Sequence, residues 1–218
     1  MVSGERAAQG VWPALAVSAA VIIPQFAPVV PAEYAHTWLW AGLAQSASQT
    51  LFLLVNIGFL GPPHEYGVRR PRLGDLPGAA ILLAVLLAVG LTASAVLGGG
   101  SAGALAAKAA PGWPLPATLA LAAAYAAAVG YREELFYRAW VLRWARRFGA
   151  RDLEALAVSV LAFAAGHAYQ GAAGMATSAV MGAVLAVAWL RGSSVHALAW
   201  AHGAYDFVIL AALFTGGA

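Results

Sequence analysis

Eight consecutive residues, Tyr131-Arg132-Glu133-Glu134-Leu135-Phe136-Tyr137-Arg138, carry four charges in a chain of which only 10% is charged. They follow an apolar run from Leu115 to Gly130, and no Gly or Pro after Glu133 breaks a helix before Gly149. A charge at the centre of a membrane helix costs roughly 2.5–3.5 kcal/mol on insertion scales, so such groups are paired or functional. Glu134 and Arg138 stand four apart with the acid first, the better order for a helical ion pair. Glu133 points about 100° away from Glu134. It has no partner on its own helix and must meet groups from other helices.

Two later stretches offer such groups, Phe163-Ala-Ala-Gly-His167 and His202-Gly-Ala-Tyr-Asp206. His202 and Asp206, four apart, share one helix face. Each histidine alone reads as a buried imidazole satisfied by a carbonyl. Depth argues otherwise. Glu133 lies 14 residues above Arg147, and His167 lies 14 above Leu153. Both distances are roughly 20 Å along antiparallel helices, and Asp206 stands roughly as far from Ser193. Straight helices therefore bring Glu133, His167 and Asp206 to one level, with His202 a turn below.

A carboxylate and a neutral imidazole around one water form a general base that activates it toward a carbonyl. A second imidazole and Asp206 then lie where an oxyanion develops. No serine stands in a nucleophile elbow, and the chain has no cysteine, which removes thiol nucleophiles and disulfides. No cofactor is the first expectation. Zinc held by Glu133, His167 and His202 is the alternative, although His-Glu-x-x-His is absent.

The elements that position these groups follow from composition. With 218 residues, 62% of them hydrophobic, the chain reads as an all-α polytopic transmembrane helix bundle of about seven spans. The polar site is formed by spans 4, 5 and 7. One integral-membrane domain covers 1–218, with a motif-bearing core at about 114–214.

The first span is Val11 to Val30, interrupted by Pro24 and Pro28. A signal peptide cleaved near Pro31-Ala32-Glu33-Tyr34-Ala35 is the competing reading. Thr37 to Leu60 is the second, with Gln45, Gln49 and Asn56 read as interhelical hydrogen bonds. A basic loop, Gly61 to Asp75, leads to the third, Leu76 to Leu97. The loop Gly98 to Pro114 carries only Lys108, and its triple glycine lacks the residues of a phosphate loop. The fourth span runs from near Pro116 to Arg147, the fifth from Leu153 to about Tyr169, the sixth from Ala172 to Leu190, and the seventh from Ser194 to Phe214. Gly174, Ser178 and Gly182 mark a close-packing face on the sixth.

Basic residues alternate from loop to loop, which puts the N-terminus in the cytoplasm and the C-terminus outside. The Ala-rich, Lys-poor composition points to a GC-rich bacterial genome and so to a bacterial inner (cell) membrane. His196 reads as structural. Arg132 reads as snorkelling or holding a substrate carboxylate, and Trp140, Trp144, Trp189 and Trp200 as interface or packing aromatics.

Glu-Glu-x-x-x-Arg, Phe-x-x-x-His and His-x-x-x-Asp, in that order, resemble the motifs of the CPBP family of CAAX-processing and bacteriocin-processing intramembrane proteases. The loop Gly67 to Leu76 is similar to that family's segment before the third span. The resemblance implies a glutamic-type endopeptidase. Glu133 and His167 would activate the water, His202 and Asp206 would line the oxyanion site, and Glu134 and Arg138 would be a structural pair. The family usually has Asn where this chain has Asp206. An Asp donates only when protonated, so orienting His202 is its other role. Members were long called metalloproteases, which keeps zinc in view.

Substrates within the family include prenylated tails, bacteriocin leaders and C-terminal sorting tails. The composition argues against a prenylated substrate, and the depth estimate puts the site in the outer half of the bilayer. The partners expected are a membrane-tethered exported protein and the lipid bilayer, with no nucleic acid. The rival readings are a zinc-dependent version of the same protease and a non-enzymatic immunity or transport protein. A transporter usually carries an internal repeat, and none is visible.

Overall fold

The computed structural model describes residues 2–26, 34–97 and 113–216. Pro28, residues 31–33 of the candidate cleavage region, and the 98–112 loop with Lys108 lie outside them. The described residues are mainly helical, without a strand. The helices are α1 (Val2–Phe26), α2 (Ala35–Leu60), α3 (Leu76–Leu97), α4 (Leu115–Glu133), α5 (Arg143–Arg147), α6 (Asp152–Gly166), α7 (Gly171–Leu190) and α8 (Val195–Thr215). A π-helical stretch, Glu134–Leu142, joins α4 to α5, so that seven long rods make up the bundle.

Four stretches are long and apolar enough to cross a membrane: Ala35–Leu60, Leu73–Leu97, Ala168–Leu190 and Val195–Thr215. The protein is a multi-pass membrane protein. The rod containing α4 is disqualified on hydropathy alone by the charges that make it interesting. At 15 residues, α6 spans only about 22 Å. It ends at Gly166, short of the expected Tyr169, because His167 leaves helical geometry (φ −101°, ψ 13°).

The first helix is a packed member of the bundle. Ala14, Val17 and Val21 join Leu53, Ile57, Tyr66 and Trp140 in one buried cluster. Trp140 donates from Nε1 to Ser18 Oγ at 3.1 Å, and Gln49 donates to the Val21 carbonyl at 3.4 Å. Gln49 thus makes the interhelical bond expected of the α2 stripe. Asn56 does not, since its amide bonds Phe52 O of its own helix at 2.8 Å.

The crossing that matters is α4 on α8. A Cβ at Gly130 would stand 2.5 Å from the Ala199 carbonyl oxygen, and one at Gly203 would stand 2.9 Å from that of Ala126. Two backbones touch there, and only glycine allows it. Gly130 lies one turn before Glu133 and Glu134, and Gly203 directly follows His202, so this contact sets the spacing of the polar groups. Gly130→Ala is expected to cost about 1–3 kcal/mol by forcing the rods apart. A lowered thermal midpoint in detergent would show it. Gly58→Ala, whose Cβ would meet nothing within 4 Å, is the matched control.

The basic loops share one end. Arg69 pairs with Asp75, whose Oδ1 also accepts from Ser194 Oγ at 2.7 Å. Arg143 pairs with Glu65, and the Trp189 ring covers the left-handed Gly67 (φ 68°). At this end His196 is structural, as expected. Its Nε2–H donates to Arg69 O at 2.7 Å, which leaves Nδ1 to accept from Tyr131 Oη at 3.0 Å. Trp200 does more than pack, donating to the same Tyr131 oxygen at 2.8 Å.

Candidate active site

The site begins in the first turns after Gly130. The Ala- and Leu-rich segment of α4 forms helix readily, with Pro116 in the first turn, where no hydrogen bond is lost. Glu133 ends the α-helical part, and Glu134 opens the π segment. Ser159 of α6 donates its hydroxyl to the Tyr137 carbonyl at 2.9 Å, inside this widened stretch. A foreign donor on a helix carbonyl is a recognised cause of ladder distortion, and π segments occur often at functional sites. The straight rod assumed from the sequence is thereby corrected.

Glu133 is buried but not unpaired. The Arg132 guanidinium holds its Oε1 and also reaches Ser46 Oγ of α2 at 3.3 Å. Spacing rules consider neighbours three and four apart and so miss this adjacent pair. Arg132 neither snorkels freely nor stands open. The second oxygen, Glu133 Oε2, has no hydrogen-bond partner among the described residues and lies 3.7 Å from His202 Nε2. That nitrogen is also 3.7 Å from Asp206 Oδ2. His202 is therefore level with Glu133, where straight helices put it a turn lower.

The Glu134 and Arg138 pair forms as expected, at 3.0 Å with both side chains 0% exposed. It is not self-contained. Glu134 Oε1 also faces His202 Nδ1 at 2.7 Å. A carboxylate paired with a guanidinium accepts, so Nδ1 carries the proton and Nε2 is aimed at Glu133 and Asp206. Glu134 is thus the group that orients His202, a role the sequence left to Asp206. Arg138 extends the lattice by donating to Gly182 O of α7 at 3.2 Å and stacking over the Phe163 ring at 4.7 Å.

His167 caps the end of α6. Its Nδ1 lies 2.8 Å from Phe163 O, and a carbonyl can only accept, so the neutral ring keeps its lone pair on Nε2. The Phe163 ring lies 4.6 Å from the His167 ring and 5.8 Å from the His202 ring, so it touches both imidazoles. A Cβ at Gly182 would come within 2.9 Å of it, which explains the small residue on α7. Ser178 and Gly182 behave as the close-packing face expected, while Gly174 faces Gln170. His167 and Asp206 lie close enough to Glu133 to interact with its charge.

Arg138, His167 and His202 of spans 4, 5 and 7 thus meet the ring of Phe163, and exposure is graded. Glu134 and Arg138 are sealed, Glu133 and His202 are nearly so, and Asp206 retains 27% of its side-chain surface. Access comes from the side of Asp206 and the half-buried His167. Such an array can take a proton from a water and donate hydrogen bonds to an oxygen that gains charge.

Part of the C-terminal half resembles a known family. Residues 113–208 match the family described as type II CAAX prenyl endopeptidase Rce1-like, in agreement with the resemblance carried by the three motifs. The matched segment takes in Glu133, Glu134, Arg138, His167, His202 and Asp206 but not Ser46 of α2. That family is one of endopeptidases. None of the curated proteins and none of the solved structures matches the chain. The Rce1-like segment also holds what spacing alone missed: Arg132 as counter-ion, Ser159 on the π segment, and the Gly130 to Gly203 contact. Only the two glycines left a trace in the sequence, as small residues beside charged or imidazole positions.

His202 Nδ1 is held by Glu134, which leaves Nε2 as the nitrogen open to a ligand, and among the described residues no three His, Asp or Glu side chains are grouped to hold one metal ion.

Proposed function

We propose that this protein is an intramembrane endopeptidase that hydrolyses a peptide bond of a membrane-tethered protein by a Glu133- and His167-activated water. The observation that carries the reading is the convergence of Glu133 Oε2 and Asp206 Oδ2 on His202 Nε2, at 3.7 Å each, inside the Rce1-like segment. In the forward step a water proton passes to the Glu133 carboxylate or to His167 Nε2 while the water oxygen bonds to the carbonyl carbon. The oxyanion gains donors from His202 as the imidazolium, whose Nδ1–H stays on Glu134 while Nε2–H turns to the oxyanion, and from Asp206 in its protonated form. The C–N bond then breaks, and the proton taken from the water goes to the leaving amine. Metal-free catalysis is part of the proposal.

The substrate class we favour is the C-terminal sorting or maturation tail of exported proteins in a bacterial cell membrane. The gathering of the basic loops at one end supports an N-terminus in the cytoplasm and a C-terminus outside. The deciding experiment uses the purified full chain with a membrane-tethered reporter. Wild type should cleave it, excess chelator should leave the rate unchanged, and His167→Ala should lower it about 10²–10⁴-fold. Unaltered cleavage by His167→Ala would end the two-base scheme, and loss of activity on chelation, restored by zinc, would replace it with the metal version.

Asp206 gives a sharper test of the oxyanion assignment. Asp206→Asn keeps a donor at that position and should retain activity within a few-fold, whereas Asp206→Ala should fall about 10²–10³-fold. Equal losses in both variants would assign Asp206 to holding the His202 ring.

A further inference from the structure

We infer that the basic end of α3 and α7 binds one anionic glycerophospholipid, its acyl chain in the groove between these helices and its phosphate at Arg191. The groove has a volume of about 630 Å³ and is walled by Ile81 and Leu82 of α3 and by Val180, Val184 and Val187 of α7. Its one charged lining group is Arg191, beside Ser193, at the end where the basic loops collect. Arg191 is exposed and makes no ion pair among the described residues. Of the arginines at this end, Arg69 is neutralised by Asp75 and Arg143 by Glu65, and Arg191 is the one that lines the groove.

Ser193 also lines an adjoining pocket of about 300 Å³, which Trp189 shares with the polar side chains of His64, Arg69 and Ser194. An apolar slot and a pocket that carries polar side chains thus meet at Ser193, as the two parts of a lipid require. Apolar fit cannot select one lipid from another in a bilayer, because lipid tails are as apolar as the groove. Selection must come from the head group, and basic pockets between helices at the water boundary take anionic ones. This site is on a different pair of helices from the polar cluster of α4, α6 and α8 and does not depend on the protease reading.

The test is native mass spectrometry and thermal unfolding of the full chain in neutral detergent, titrated with dioleoyl phosphatidylglycerol or dioleoyl phosphatidylcholine. Wild type should retain the phosphatidylglycerol preferentially and melt higher with it. Arg191→Gln should weaken that binding about five-fold, the loss of one interfacial cation, and leave phosphatidylcholine binding unchanged. Arg191→Lys should restore the preference, and Ala183→Phe, which fills the groove, should expel both lipids. Equal retention of the two lipids by wild type would overturn the proposal, as would phosphatidylglycerol binding indifferent to Arg191→Gln. Full protection by glycerol 3-phosphate alone would make the site a free-anion pocket, and displacement by farnesol regardless of Arg191 would make it an isoprenoid slot. Either result refutes the lipid assignment.

Discussion

Glu133→Gln is expected to lower kcat for reporter cleavage about 10³-fold while leaving the protein folded and membrane-inserted. Glutamine matches glutamate in shape and still offers Arg132 an oxygen at the Oε1 position, so the contact seen in the structure survives. What disappears is a basic oxygen at Oε2, which has no donor among the described residues and faces His202 Nε2. A loss confined to kcat, with KM and the detergent melting point close to wild type, identifies a proton acceptor. Activity within ten-fold of wild type would remove Glu133 from the chemistry and leave His167 as sole base.

The second large effect falls on folding. Arg138→Leu should destabilise the protein by about 3–5 kcal/mol, because it leaves the Glu134 carboxylate charged, sealed and without its counter-ion. The variant also loses the bond to Gly182 O and the cover over Phe163, contacts that tie the π segment to α7 and α6. Glu134→Leu with Arg138→Leu removes both charges at once and should recover most of the melting temperature, since replacing a whole buried pair is often neutral. Activity should not return with it. His202 Nδ1 would then lack the acceptor that turns Nε2 toward Glu133. A double variant both stable and active would reduce Glu134 to a counter-ion for Arg138.

These outcomes follow from an arrangement only partly visible in the chain. The third span, Leu76 to Leu97, coincides with α3 because its bounds are written locally: a turn-rich basic loop before it and an uninterrupted apolar run within it. The pairing of Glu134 with Arg138 was equally legible, since four residues of helix place the two on one face whatever surrounds them. The depth argument brought His167 and Asp206 toward Glu133 but misplaced His202. It assumed a straight α-helix where nine residues follow a π path, and axial rise contains no information about rotation.

The amino-acid order by itself determined the class of molecule, the rods and the three polar motifs, because hydropathy and helical period act over a few residues along one chain. Only the tertiary structure decided which oxygen meets which nitrogen. That choice depends on the rotation and approach of α4 against α8, fixed where Gly130 and Gly203 let two backbones touch. It depends too on Ser159 reaching a carbonyl of a helix 22 positions away. Contacts between groups distant in sequence carry no period that a reading along the chain can detect.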